Sequence, residues 1–211
     1  MAGGKLSPRQ KMINLMYLIF IAMLAMQMDK KVLSSFGFMK EKIEDANVAS
    51  STNIDNILSS LNTKATDQPD KFDGLNKKAQ EINKLSEDLF VYMSALKDSI
   101  LSDTDEEDMT NYESMSNGDR LDELFFKGEG LTEQGEEFMG SINSYRNNLL
   151  SILGTDANPD LLRNIKKRFN TDSVPSRDEG SPKIPWIKSR YEGMPMITSL
   201  ANMTQIQGDV K

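Results

Sequence analysis

Four polar side chains stand in or just before an apolar stretch near the start of the chain and share a helix with it: Arg9 before it, and Asn14, Tyr17 and Gln27 within it. Between Lys11 and Asp29, residues 12–28 (MINLMYLIFIAMLAMQM) carry no formal charge. The chemistry open to these four is therefore charge pairing and hydrogen bonding in a nonpolar medium. Ser7 and Pro8 read as a helix start, with Ser as N-cap and Pro at N1, where its missing N–H costs nothing. Arg9 then falls in the first turn. A cation there opposes the helix macrodipole by roughly 0.3–1 kcal/mol. Two kinds of group would compensate it: lipid phosphate reached by snorkelling, which is the usual boundary signal, or a carboxylate on a neighbouring membrane helix. At about 100° per residue, Gln27 shares the meridian of Arg9 about 27 Å away, and Tyr17 lies about 80° round and about 12 Å deeper. A tyrosine hydroxyl at that depth wants a partner. One polar seam facing protein rather than lipid would satisfy all three, with Asn14 as a further contact on the helix face.

Chemistry of other kinds finds little support. The chain has no Cys and no His, which removes disulfides, thiolate zinc sites, His-activated nucleophiles and imidazole proton shuttles. Asp103, Asp105, Glu106, Glu107 and Asp108 resemble a calcium loop, but counting from Asp103 the sixth position is Asp108 rather than Gly and the twelfth is Ser114 rather than Glu. That run reads as a solvated acidic loop. Residues 127–130 (KGEG) follow no strand and lack the spacing of a phosphate loop. Lys166, Lys167 and Arg168 read as the favourable C-terminus of a helix rather than a binding patch. Trp186, between Ile184 and Ile187, reads as a packing anchor. The expectation is a protein that is not an enzyme, with no catalytic residues, no metal and no cofactor.

The elements that must position the N-terminal residues are helical. The 17-residue uncharged run sits at the lower limit for a spanning helix, about 17–25 residues. A cleaved signal peptide fits less well, because no clean A-x-A site follows the apolar stretch. Beyond it, Phe36, Met39, Ile43 and Ala46, then Ile54, Ile57 and Leu61, keep helical spacing with one slip. The membrane helix is expected to continue directly, or through a hinge near Gly37, into a long second part. After a turn at residues 66–70 (TDQPD), Phe72, Leu75, Ala79, Ile82, Leu85, Leu89, Tyr92, Leu96 and Ile100 mark the clearest amphipathic helix, returning as the second arm of a helical hairpin. Residues 102–130 read as an acidic loop with short elements near 121–127. Thr132 caps a helix striped by Phe138, Ile142, Tyr145, Leu149 and Ile152 and ended by Gly154. Asn158 and Pro159 open a shorter one. A proline-rich connection follows, and a last helix begins near Pro195 and keeps its spacing to Lys211. That ending suggests a helix leading into a further domain. The fold class is all-α: one N-terminal membrane helix followed by an antiparallel helical bundle.

Charge agrees with this division. The first 31 residues hold five basic side chains against Asp29, a net of +4, so with −7 for the whole chain the remainder carries −11. A basic leader on an acidic body argues against nucleic acid as a partner. Three basic residues precede the span and two follow it, which modestly favours an N-terminus on the cytoplasmic side.

The first 39 residues, MAGGKLSPRQKMINLMYLIFIAMLAMQMDKKVLSSFGFM, closely resemble the start of the GldM/PorM family, inner-membrane motor subunits of type IX secretion and gliding motility. Residues 117–125 (NGDRLDELF) and 191–210 (YEGMPMITSLANMTQIQGDV) agree more weakly. The resemblance implies a cytoplasmic N-terminus and transmembrane helix over residues 1–35 in a bacterial inner membrane. It implies a first periplasmic helical domain over 36–211, with β-rich domains beyond. It implies a homodimer whose two membrane helices sit inside a ring of five copies of a GldL-like partner, driven by proton flow. GldK- and GldN-like components on the outer-membrane side would be reached through the further domains. Arg9 matches the family's membrane-helix arginine, associated with a buried glutamate of the partner, and Tyr17 matches a tyrosine of the same helix. Gln27 and Asp29 depart from the family pattern, where an amide such as Asn and a small polar residue are expected. The alternative reading is a signal-anchored periplasmic adaptor or sensor domain, in which the membrane helix only attaches the chain.

Overall fold

In the computed structural model, which describes residues 7–102, 104, 109–155, 157–176 and 180–211, the chain is mostly helical. Helix α1 spans Pro8–Asp67 as one 60-residue helix, about 90 Å long at 1.5 Å per residue. Its start is the one the sequence announces: the Ser7 hydroxyl accepts a hydrogen bond from Gln10 N at 3.3 Å, and Pro8 occupies the first position. There is no hinge at Gly37; the helix runs through it. The turn after α1 is a single residue. Gln68 N donates to Lys64 O at 2.9 Å, and Pro69 opens α2 (Pro69–Leu101).

The two helices are antiparallel. Asn76 Nδ2 donates to Asn62 Oδ1 near the tip (3.2 Å), and Lys97 Nζ donates to Glu44 Oε1 near the base (3.3 Å). Burial corrects the stripe expected for α1. Met39, Ala46 and Ile57 are exposed, whereas Leu33, Gly37 and Asn47 are buried with Lys40, Glu44 and Ser51 half-buried between them. The inward positions 33, 37, 40, 44, 47, 51 and 54 step by four and three, an average of about 3.5 residues as in coiled-coil seams. The slip in the apolar pattern arose because polar residues occupy part of that seam. In α2, Leu89, Met93, Leu96 and Ile100 are buried, and Leu75, near the tip, is exposed.

Residues 102–130 hold more order than an acidic loop. Turns at 111–116 lead into α3 (Asp119–Phe125) and a two-stranded ribbon, β1 (Phe126–Lys127) with β2 (Gly130–Leu131), paired Phe126 to Leu131. The expected calcium-loop lookalike at 103–108 lies outside the described residues apart from Thr104. Helix α4 (Glu133–Leu153) is capped by Thr132, whose hydroxyl accepts from Gly135 N at 3.0 Å and itself donates to Leu124 O. Gly154, at φ +74°, ends it. Asn158 caps α5 (Pro159–Arg168) through Asp160 N at 2.8 Å, with Lys166, Lys167 and Arg168 in its last turn.

The chain then runs back alongside α4. Arg146 Nη1 donates to Phe169 O (2.9 Å), Thr171 Oγ1 to Asn143 Oδ1 (2.7 Å), and Trp186 stacks on Phe138 with centroids 6.4 Å apart. This connection contains a β-bridge between Val174 and Ile184 and a short helix that the proline content concealed, α6 (Trp186–Tyr191). Helix α7 (Met196–Asp209) follows. Its Thr204 meets Asn47 on α1, and its Gln207 Nε2 donates to Ser94 Oγ on α2 at 2.8 Å. Among α1, α2, α4 and α7, therefore, three point one way and α2 returns, so the bundle is not a simple alternation. The return pass along α4 is the crossover that makes this possible. The core is centred on Phe125, Phe138 and Tyr191, all at most 1% exposed. Phe125 and Phe138 stack at 4.8 Å, and Tyr191 stands edge-on to them at 5.7 and 5.3 Å.

Candidate functional site

Every residue from 7 to 32 is exposed, with Lys30 pairing to Glu113 at 3.7 Å near the end of that stretch, and α1 is first buried at Leu33. The free part of the helix has a mean hydropathy of 1.6 over its most apolar 18 residues. Leu15, Met16, Leu18, Ile19, Phe20 and Ile21 are each at least half exposed. In water this would be a large apolar surface with no cover. Residues 8–32 extend about 37 Å, enough to cross a hydrocarbon core of about 30 Å.

Arg9 is exposed two positions inside the Ser7 cap, with no acidic residue in the first turn of α1. No hydrogen bond or ion pair joins Arg9, Asn14, Tyr17 or Gln27 to one another or to the bundle among the described residues. The uninterrupted helix fixes their bearings. Arg9 and Gln27 share a meridian and Tyr17 is about 80° round, while Asn14 stands about 140° from Arg9. Asn14 is therefore well off the Arg9–Gln27 line and closer to Tyr17.

A second polar group, which the sequence reading passed over, lies where α1 enters the bundle. Lys97 on α2 pairs with Glu44 at 3.3 Å and donates to Thr204 Oγ1 on α7 at 3.1 Å. Burial lowers the pKa of Lys97, and the adjacent Glu44 carboxylate works against that shift. Lys40 also reaches Glu44, at 2.9 Å. Asn47 is buried and donates to Thr204 O at 3.4 Å. Gly208 backs onto Asn47, and a Cβ there would press on Asn47 Oδ1 at 2.9 Å. This group ties α1, α2 and α7 together through directional contacts, which fix register where an apolar seam would allow sliding. The signal in the sequence was the 40, 44, 47 spacing of polar residues continuing the seam of Leu33 and Gly37.

Compared with protein families, residues 31–211 match the GldM N-terminal domain. The chain belongs to the GldM family. No curated protein matches it. The GldM-family domain begins at Lys31, one residue before the free stretch of α1 ends, and it takes in the whole helical bundle. Membership makes the chain a membrane-associated component of the gliding and type IX secretion apparatus. Arg9, Asn14, Tyr17 and Gln27 precede the matched residues.

Proposed function

We propose that this GldM-family chain is the inner-membrane subunit of a proton-motive-force-driven motor that powers type IX secretion and gliding. In this reading its N-terminus is cytoplasmic and its bundle periplasmic. Two copies stand inside a ring of five GldL-like subunits, and motion passes outward through further domains to GldK- and GldN-like components. The role is mechanical rather than catalytic. The observation that carries it is α1 itself: a single helix runs without a break from the capped start at Ser7, through the apolar stretch, to the tip of the bundle. A plain anchor has no need of such rigidity, whereas a driven shaft does.

Arg9 supplies the chemistry. An ionised glutamate on a neighbouring membrane helix is expensive unless paired. The guanidinium would hold such a glutamate ionised while they touch. Proton entry would neutralise the carboxylate and release the pair. With two arginines facing five carboxylates, not all can be paired at once, and successive pairing favours rotation. Arg9→Ala and Arg9→Lys are both expected to abolish secretion and gliding while the protein still copurifies with its membrane partner. Lys is the stricter variant, because it keeps the charge and loses the bidentate fork. Motility retained in either variant would sink the mechanism.

A further inference from the structure

We propose that residues 111–118 form a strap that locks α1 to the bundle as it leaves the membrane, and that Tyr112 seated on Gly37 is the contact through which motion of the span enters the domain. The proposal rests on the motor reading above.

Gly37 is buried in the middle of a helix, where glycine is ordinarily destabilising relative to alanine. Here it has a use. A Cβ built on Gly37 would fall within the Tyr112 ring, against its Cγ and Cδ2. The ring thus lies directly on the helix backbone. Its hydroxyl donates to Glu41 Oε1 at 2.6 Å, one turn further along, and Phe38 meets the ring edge-on at 6.2 Å. Three consecutive features of α1, at positions 37, 38 and 41, therefore grip one side chain.

The strap's other end is fixed to the α6–α7 corner. Met115 is buried, and its carbonyl accepts from Ile197 N at the start of α7 (3.3 Å). Gly118 backs onto the Met194 carbonyl, where a Cβ would collide. Asp122, on α3, accepts from Gly193 N at 3.0 and 3.1 Å. Lys30 pairs with Glu113 at 3.7 Å, but both side chains are about half exposed, so that pair contributes little.

The arrangement resists rotation about the axis of α1. Each residue advances the helix face by about 100°. Turning α1 by one residue against the strap would bring the Phe38 side chain to the slot that only a glycine leaves open. Helix and strap must therefore turn together, and the strap carries the turn to the α6–α7 corner. Without it, α1 would be held there by the apolar packing of Leu33 and Phe36, with the next directional contacts in the Glu44–Lys97–Asn47 group, two turns beyond Gly37.

The test is made with the full-length protein in its native membrane. Gly37→Ala and Tyr112→Ala should each lower gliding speed and secretion by about tenfold, within the range by which coupling mutations act. The protein should stay at normal membrane levels, retain its membrane partner and keep a cooperative melt. The chain has no cysteine, so Lys30→Cys with Glu113→Cys gives a unique pair for a short bismaleimide. In the Tyr112→Ala background that link should restore movement. Wild-type speed in either single variant overturns the strap. So does a loss of movement that the link fails to restore, because the residues would then serve folding alone. Arg9→Lys reads the motor separately: if it stalls while Gly37→Ala moves normally, only the strap fails, and if it moves normally the motor reading fails.

Discussion

At the residue scale, the chain places charge and hydroxyl groups where their surroundings shift their behaviour. Burial, and then the Glu41 carboxylate that accepts its hydrogen bond, push the Tyr112 hydroxyl up to about 12. A group whose folded pKa is raised adds stability that is complete below its unfolded value of 10.0 and is lost as pH climbs towards 12. The Tyr112–Glu41 bond should therefore hold through neutral pH and weaken between about 10 and 12. Glu41→Gln should move the phenolate transition of Tyr112 downward, read by ultraviolet titration as the difference from a Tyr112→Phe variant. An unmoved transition would mean that Glu41 does not act on the hydroxyl. In the core, Phe138 is fully buried, stacked between Phe125 and Trp186 and met edge-on by Tyr191. Phe138→Ala should cost about 3–5 kcal/mol by the cavity it leaves, seen as a large drop in the urea midpoint of the bundle. A loss under 1 kcal/mol would show that the aromatic cluster collapses around the gap.

At the scale of elements, local signals placed the helix ends well, and long-range packing decided the rest. Ser7-Pro8, Thr132 and Asn158-Pro159 are caps whose bonds reach only two or three residues, so the spacing in the sequence contained them. The inward face of α1 was not legible in the same way. Its seam holds Gly37, Lys40, Glu44 and Asn47 because α2, α7 and the strap supply partners for them. An apolar pattern cannot register such positions. Those partners come from as far as 157 residues away in the chain. Helix α6 was hidden for a related reason: its six residues follow three prolines and are held by Trp186 stacked on Phe138 and Tyr191 edge-on to it, not by propensity. The continuity of α1 itself bears a direct test. Proline at Ser35 would remove the N–H that closes on Lys31 O and crowd that carbonyl, at a cost of about 3 kcal/mol or more and with a kink. Ser35 is exposed and its hydroxyl bonds the same carbonyl at 2.8 Å, so Ser35→Ala serves as the control. Ser35→Pro should stop gliding while the bundle still melts cooperatively, and Ser35→Ala should glide. Equal gliding in both would remove the need for a rigid α1.

At the scale of the whole molecule, a membrane-seeking rod of about 37 Å is continuous with a bundle whose other helices are packed to hold it. Two accounts of that continuity are open to a swap of the apolar segment. If the helix only anchors an adaptor, residues 8–28 contribute length and hydropathy, and any apolar helix of equal length should do. If it is driven, the bearings of Arg9, Tyr17 and Gln27 matter, because they fix which face meets each partner as the span turns. The discriminating chimera replaces residues 8–28 with an unrelated span of the same length, keeping Ser7 and everything from Asp29 onward, so that the phase of α1 into the strap and bundle is unchanged. The driven shaft predicts a stably inserted protein with an intact bundle and no secretion or gliding. Returning Arg9 alone to the chimera should restore binding to a small partner that carries an intramembrane glutamate, and returning Arg9 with Tyr17 should recover part of the movement. The anchor predicts full movement in the first chimera, before any residue is returned. Changing the length by one residue separates the two accounts again. The insertion rotates Arg9 by about 100° relative to the Tyr112 seat while moving it only about 1.5 Å along the axis, a change that an anchor would tolerate and a phased shaft would not.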